Sequence, residues 1–367
     1  MRIDSLTLQN FRNYQKQDIM FDPVGNVIFG ENAEGKTNLL EAIYFLSCGR
    51  SPRTRFDRDL IRFDTGEARL TGKIFSGDRD FSVEVSFFRG KRRKIFINRV
   101  PAKNADSLSE VLNTVFFSPD DLALIRDGAA ARRRFLDMAL CQLRPRYALA
   151  LSGYNRAWEH KNRILRDSGD RPDLLQTLPE FNRQMISLGS VLIRYRAQYV
   201  LRLREYAAAT HSECSGGKEK LEIAYKTVST VSDPAGDQMK IMEELSRHME
   251  THAAAEAALR LCLSGPHKDD LLITVDGKEA RSFCSQGQTR TAALSLKLAE
   301  REILKNNTGE YPVLLLDDVL SELDPRRQEF VLNRISGGQV FITCCEDDRL
   351  PTMLGGKVFH IKQGRVI

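Results

Sequence analysis

Apolar residues recur along this chain at two different periods, and the changeover divides it. Over the first third the spacing is that of strands. Residues 3–9 and 17–21 alternate, 24–30 is a short apolar run ending in glycine, and EARLTGKIF, DFSVEVSFF and RRKIFINRV follow with turn residues between them. A helix interrupts this series from Lys36 to about Cys48. From about residue 120 to 261 the period becomes helical. Phe181, Met185, Leu188, Leu192, Tyr195, Tyr199, Leu203 and Tyr206, spaced three or four apart, form one stripe that reads as core packing. HSECSGGKE and TVSTVSDPAGDQ break this region into loops. Beyond Leu261 the pattern returns to strand, helix, strand: LLITVDG, TAALSLKLAEREILK, PVLLLDD and QVFITCC. The pattern predicts an α/β fold with three segments: a nucleotide-binding head built from 1–120 and 261–367, with a β-rich part in the first, and a mainly helical domain, 121–260, inserted between them.

Composition narrows the class without naming a function. The 367 residues are 42% hydrophobic and 28% charged, as in globular proteins that fold in water. No run reaches the roughly 18 apolar residues that span a membrane, and the polar opening MRIDSLTLQNFRNY lacks a signal core. Seven scattered cysteines, odd in number and without CxxC spacing, argue against disulfides or structural zinc and fit a reducing cytoplasm. The net charge of +6 is concentrated. Between Arg126 and Arg166 ten Lys/Arg face three acids, and Arg89, Lys91, Arg92, Arg93, Lys94 and Arg99 have no acid among them. Such a surplus marks either a polyanion-binding surface or a salt-bridged face.

Three motifs carry chemistry. GENAEGKT, Gly30–Thr37, matches G-x-x-x-x-G-K-[ST] and lies between an apolar strand and a helix, where backbone N–H groups and the helix N-terminus can hold phosphates. Lys36 would reach the β- and γ-phosphates, and Thr37 would ligate Mg²⁺. In VLLLDD four apolar residues end in two carboxylates, on the edge of an α/β sheet that binds ligands. Asp317 is the expected metal partner, and Asp318 the group that orients or deprotonates water. SQGQTR, Ser285–Arg290, stands at a helix mouth and offers a second phosphate surface or an ordinary helix cap. One γ-phosphate rarely needs two such surfaces from one subunit, so the second points to the nucleotide of another copy.

Together with LTLQNFRNY, FFSPDDLALIRDGAAARRRFLD, GPHKDDL, SQGQTRTAALSLKLAE and LLLDDVLSELDPRR, these motifs resemble the ABC-type ATPase heads of the SMC class, and most closely the RecF family. The resemblance covers essentially the whole chain. It implies a weak, DNA-stimulated ATPase that binds ATP with Mg²⁺ and pairs as a homodimer on ATP. ATP would contact Gly30, Glu31, Asn32, Ala33, Glu34, Gly35, Lys36, Thr37 and Asn38 of one subunit. Ser285, Gln286, Gly287 and Gln288 of the other would close the site, with Asp324 in the loop beside the γ-phosphate. It further implies sequence-independent binding of duplex, gapped or single-stranded DNA in recombinational repair and at replication forks, with RecO and RecR as partners in loading RecA. Some positions depart from the family pattern. Glu34 replaces a common glutamine and adds negative charge near the phosphates, Lys268 replaces an arginine, and Thr343-Cys344-Cys345 replaces a threonine-rich switch.

Other readings are weaker. His248 and His252 are four apart, but Met249 stands where a metalloprotease needs glutamate, so an exposed helix face is expected. His267 reads as structural. Arg132-Arg133-Arg134 would either brace the helical domain or contact DNA phosphates. A transporter ATPase subunit would carry no such insertion, and about 140 residues are too few for the coiled-coil arm of a chromosome-organising protein.

Overall fold

The computed structural model describes residues 1–345 and 355–367. Two compact units emerge: residues 1–122 with 293–367, and residues 123–292.

The first unit opens with β1 (Arg2–Phe11), β2 (Tyr14–Met20) and β3 (Gly25–Phe29), then α1 (Lys36–Cys48). β4 (Glu67–Ser76), β5 (Arg79–Phe88), β6 (Lys91–Ile97), β7 (Val100–Pro101) and β8 (Thr114–Phe117) complete its first part. An antiparallel sheet has the order β2-β1-β4-β5-β6-β7. Its strands alternate buried and exposed residues, as in β4, because one face is covered and the other is wet.

The second unit contains α2 (Ala123–Arg126), α3 (Ala129–Leu143), α4 (Pro145–Asp167), α5 (Leu178–Ser215), β9 (Leu221–Lys226) and α6 (Gln238–Leu259). β10 (Asp270–Val275), β11 (Lys278–Glu279), α7 (Ala280–Phe283) and the start of α8 (Gln286–Thr308) follow. The chain then supplies the first unit with β12 (Val313–Asp317), α9 (Pro325–Arg334), β13 (Val340–Cys344), β14 (Lys357–Lys362) and β15 (Arg365–Val366).

These late strands build the second sheet of the first unit, in the order β15-β14-β3-β13-β12-β8. From β14 to β8 all pairs are parallel. β3, β8, β12 and β13 are buried at every position, which explains their unbroken apolar runs. α1 touches β4 of one sheet and β8, β12 and β13 of the other. A helix covered on both sides must be apolar nearly all round, and eleven of its residues are buried.

The unit boundary differs from the expected one. Residues 261–292 were expected with the head, yet they fall in the second unit. The cause is β9, which pairs antiparallel with β10 from Asp270↔Lys226 to Val275↔Leu221. Its alternation (Leu221 and Ile223 buried, Glu222 and Ala224 exposed) is strand-like, but six residues between two loops were read as part of the helical region. The stripe on α5 packs as expected: Met185, Leu192, Tyr199 and Leu203 are buried and the other four half-buried. α5 runs 38 residues and touches α3, α4, α6 and β9, so it lies against its own unit rather than extending as an arm.

The motifs RRRFLD and GPHKDD prove to be two halves of one buried ion network in the second unit. Arg132 forks onto Asp270 (2.7 and 3.0 Å), and the Arg133 guanidinium donates to the Asp269 carbonyl at 2.7 Å. At the centre lies Arg196 of α5, 3% exposed, donating to Asp137 of α3 and to Asp269 (2.8 and 2.9 Å) and to the Pro266 carbonyl. Asp269 also accepts from the Tyr225 hydroxyl and from Thr227 at 2.7 Å. Arg132 and Arg133 therefore act as braces. The basic stretch from 126 to 166 is in part an interior feature, and its charge overstates the surface it offers to an anion.

His248 is buried and His267 half-buried. His267 Nδ1 receives the Tyr154 hydroxyl at 2.7 Å, and Nε2 faces the Cys262 carbonyl at 3.3 Å. That pairing makes Nε2 the protonated nitrogen of a neutral ring. Gly265 at φ 131° has no room for a Cβ, which would fall 2.3 Å from the Tyr154 hydroxyl. Burial, and secondarily Lys268 and Arg133, push the His267 pKa down to about 4. The unfolded chain then binds a proton near its ordinary pKa of about 6.5, while the folded chain does not until about pH 4. Stability from this group is full above about pH 6.5 and lost on acidification towards pH 4, by about 3 kcal/mol in all. Urea titrations of wild type and His267→Gln over this window should show a shallower pH slope in the variant; equal slopes would assign the acid sensitivity elsewhere. His248, expected on an exposed face, is buried because it extends the Ile241, Leu245 and Met249 side of α6, and it bonds Ser264 at 2.8 Å. Its pKa is lowered by burial, with His252 stacked 4.0 Å away adding to the effect.

Candidate functional site

At the C-terminal edge of the parallel sheet, segments far apart in sequence converge. β3 ends at Phe29 and α1 starts at Lys36, with residues 30–35 wrapped between them. The wrap requires left-handed backbone at Ala33 (φ 69°) and Gly35 (φ 119°). At Gly35 a Cβ would meet the Asn13 amide at 2.7 Å, so glycine is needed for space as well as conformation. Lys36 folds back over the loop, donating to the Gly30 and Glu31 carbonyls (2.5 and 3.1 Å) and lying 3.5 Å from Cys345 Sγ. Its ammonium is thus held inside the wrap of the loop.

The strand-end acids meet this loop. Thr37 Oγ1 donates to Asp317 Oδ1 at 3.0 Å, across 280 residues of sequence. Thr343, paired with Asp317 in the parallel register, donates to the same oxygen at 2.8 Å and accepts the Asp318 N–H at 2.9 Å. One hydroxyl thus fixes both acids. Burial raises the Asp317 pKa, and the hydrogen bonds from Thr343 and Thr37 only partly oppose it. A buried carboxylate without an ion-paired cation, sharing a bond with a hydroxyl, is a hard oxygen pair suited to a divalent cation. Among the described residues there is no cluster of three His, Cys, Asp or Glu that could hold a metal alone. The set fits Mg²⁺, which typically takes one or two protein oxygens and completes its shell from phosphate and water.

Asp318 leaves the strand with φ 54°, a left-handed position that Asp tolerates but that turns its side chain out of the ladder. Ser321 donates to its carbonyl and carboxylate, each at 2.9 Å. Asp324 caps α9 by accepting the Arg327 N–H at 3.1 Å and is exposed. The side chain of Glu322 lies outside the described residues.

Several residues around the loop were not singled out from sequence. Asn13 Nδ2 holds the Glu34 carbonyl at 2.8 Å and its Oδ1 accepts from Asn38 at 2.9 Å. Tyr14 donates to the Gly35 carbonyl at 3.0 Å. Arg12 forks onto buried Glu41 of α1 (2.8 Å twice), and Arg53 reaches Asn38 at 3.0 Å. The turn between β14 and β15 clasps the loop as well: Gly364 N–H bonds the Glu34 carbonyl at 2.9 Å, and Gln363 N–H bonds the Glu34 carboxylate. Glu34, expected to bring negative charge towards phosphate, thus spends its carboxylate on a backbone N–H. FRNY was visible in the opening segment, but nothing local linked it to a loop twenty residues on. Beside the loop a cleft of about 800 Å³ is lined by Arg12, Asn13, Phe63, Lys362 and Gly364 among others.

Ser285–Gln288 belong to the second unit. Here Ser285 Oγ accepts the Gln288 N–H at 3.2 Å, while Gln288 Oε1 accepts the Ser285 N–H at 2.9 Å. This reciprocal capping box starts α8 at Gln286 instead of the expected Thr291. It consumes acceptors: the serine hydroxyl proton and the Gln288 amide N–H₂ remain as donors, with Ser285 and Gln286 exposed. The cap and anion readings are thus compatible.

The sequence model of the family described as RecF/RecN/SMC N terminal domain matches residues 2–365. The DNA replication and repair protein RecF of Agathobacter rectalis is 42% identical over 370 residues, covering 100% of this chain and 99% of the relative. Its namesake in Bacillus cereus is 40% identical, covering 100% and 98%. A structure of the recombination mediator protein RecF with ATPrS, described as in the RecFOR pathway, superposes with TM-score 0.92 at 33% identity, covering 100% and 97%. Its ATP counterpart gives 0.91 at 34% identity, covering 100% and 96%. The Smc head of Pyrococcus furiosus, at 16% identity and TM-score 0.58 over 100% and 95%, shares the fold alone. The expected α/β, ABC-type head architecture holds. On full-length similarity in both sequence and fold, this chain belongs to the RecF family of the RecF/RecN/SMC group.

Proposed function

We propose that this chain is an ATP-dependent DNA-binding protein of recombinational repair and fork maintenance, with residues 30–38, Asp317 and Asp318 as half of its nucleotide site. The observation that carries this reading is the Thr37–Asp317 hydrogen bond, 3.0 Å, between the phosphate loop and the strand end. In that reading backbone N–H groups of residues 31–37 and the start of α1 hold the phosphates, and Lys36 gives up the loop carbonyls to pair with the β- and γ-oxygens. The cleft beside Asn13 and Gly364 takes the adenosine. Thr37 and Asp317 are the protein ligands of Mg²⁺, which when bound neutralises developing phosphate charge. Asp318, fixed by Ser321 and Thr343, accepts a hydrogen bond from the attacking water and takes its proton.

Ser285, Gln286, Gly287 and Gln288 of a second copy supply the donors that complete each site, with Asp324 at the same junction. A C2 pair then has two equivalent sites, and ATP adds interface free energy that hydrolysis removes. Dimerisation on ATP, DNA stimulation of turnover, and cooperation with RecO and RecR in loading RecA are parts of this proposal, motivated by family membership. A membrane role finds no support, since no helix among the described residues is long and apolar enough to cross a bilayer.

Ser285→Arg tests the composite site. Sedimentation with ATP and Mg²⁺ should show wild type as a dimer and the variant as a monomer, with monomer affinity for ATP nearly unchanged. Loss of nucleotide binding itself would place Ser285 within its own subunit's site.

A further inference from the structure

A groove of about 760 Å³ in the first unit shares no lining residue with the phosphate loop. Three segments wall it: the turn at 55–58, the start of β6, and residues 102–105. Arg55, Arg58, Lys91, Arg92, Arg93 and Lys103 line it against a single carboxylate, Asp57. That carboxylate is already bound to Arg93 at 2.9 Å. Arg55, Lys91, Arg92 and Lys103 are exposed, and their side chains make no ion pair among the described residues. Like charges gathered with too few counter-charges repel one another, so the arrangement is relieved by an external polyanion.

A plainer account exists for part of this. β6 is an outer strand over its first residues, and lysine or arginine on a strand edge discourages pairing with other chains. That explains Lys91 and Arg92. It leaves Arg55, Arg58 and Lys103, which come from other segments and converge on the same hollow.

We propose that this groove holds the sugar–phosphate backbone of DNA. The inference rests on the DNA-binding reading above and assigns it a surface. A hollow walled by three segments suits a strand better than a flat bilayer, and four unpaired cations suit successive phosphates. Phe56, 58% exposed, and half-buried Phe88 are the aromatics that line it, and the Arg58 guanidinium already lies 4.9 Å from the Phe56 ring centroid. With that ring face occupied, the groove contacts backbone rather than stacking on bases, which gives binding without sequence preference.

The test is Arg55→Ala/Lys91→Ala/Arg92→Ala/Lys103→Ala in the full chain, with ATP and Mg²⁺ and a labelled duplex of arbitrary sequence across a salt series. Affinity should fall about tenfold or more, and the slope of log K against log salt should become shallower by about three to four, near one unit per lost phosphate contact. ATP-driven dimerisation, read by sedimentation, should be unchanged. Equal affinity and slope in a variant whose wild type binds DNA would overturn the groove and spare the DNA reading. A wild type that binds no duplex at any salt would sink both. Binding to phosphatidylserine vesicles that the variant loses while keeping DNA would reassign the groove to a membrane, and loss of dimerisation would reassign it to subunit pairing.

Discussion

Changing Lys36 to alanine is expected to lower ATP affinity by about ten- to a hundredfold, the range of charge-assisted hydrogen bonds to phosphate. With that loss the proposed ATP-driven dimer and its DNA binding should vanish at ordinary nucleotide concentrations. Lys36 is 7% exposed and its ammonium is the only side-chain cation that reaches into the wrapped loop among the described contacts. In the nucleotide-free arrangement it braces the Gly30 and Glu31 carbonyls, so alanine also removes a loop contact. Lys36→Arg separates the two effects, since it keeps the charge but replaces a compact ammonium by a wide planar fork. It should fold as wild type and still fail to dimerise. Calorimetric ATP titration and sedimentation of both variants decide the matter; wild-type affinity in Lys36→Ala would remove Lys36 from the site.

The second large effect is on stability. Asp269→Ala should destabilise the second unit by about 3–5 kcal/mol, the usual cost of stranding one member of a buried ion network. Arg196 would keep Asp137 but lose its 2.9 Å partner, while Tyr225 and Thr227 lose their acceptor. Burial raises the Asp269 pKa and Arg196, Tyr225 and Thr227 oppose it, so the carboxylate depends on those partners for its charge. Asp269→Asn, which retains one acceptor and the volume, should cost less. The urea midpoint reads both variants. A shift below about 1 kcal/mol for alanine would mean that the network adjusts or takes in water.

Local features of the site were legible in the sequence. Glycine spacing, an apolar run and the following helix lie within 25 residues, and the structure gives α1 the bounds Lys36–Cys48. The two acids could be read because a buried strand ending in carboxylates has few other purposes. What escaped was everything joined through the fold. Asn13 and the turn at Gln363–Gly364 reach the site only once strands distant in sequence are neighbours. Arg132 and Arg133 could be read either as braces or as DNA contacts because their partners, Asp270 and the Asp269 carbonyl, lie over a hundred residues away. His248 looked exposed because two histidines four apart suggest a polar face; the apolar residues flanking His248 on α6 outweigh it. β9 was missed because its alternation spans only six residues.

The order of strands around β3 has a consequence for how the molecule is made. β3 is buried along its whole length between β13 and β14, which are encoded some three hundred residues later. The hairpins β1–β2 and β4–β5 can close as soon as they leave the ribosome, since their partners are adjacent. β3 cannot. At roughly 5–20 residues per second, it waits about 15–60 s for its neighbours, an apolar strand on a nascent chain whose long-range pairing is also slow to form. An apolar strand left unpaired for such an interval is exposed to aggregation, the general condition that chaperones relieve. A product that stops before β12 carries all of Gly30–Thr37 but lacks Asp317, so the two halves of the proposed nucleotide site meet only in a chain made through that strand.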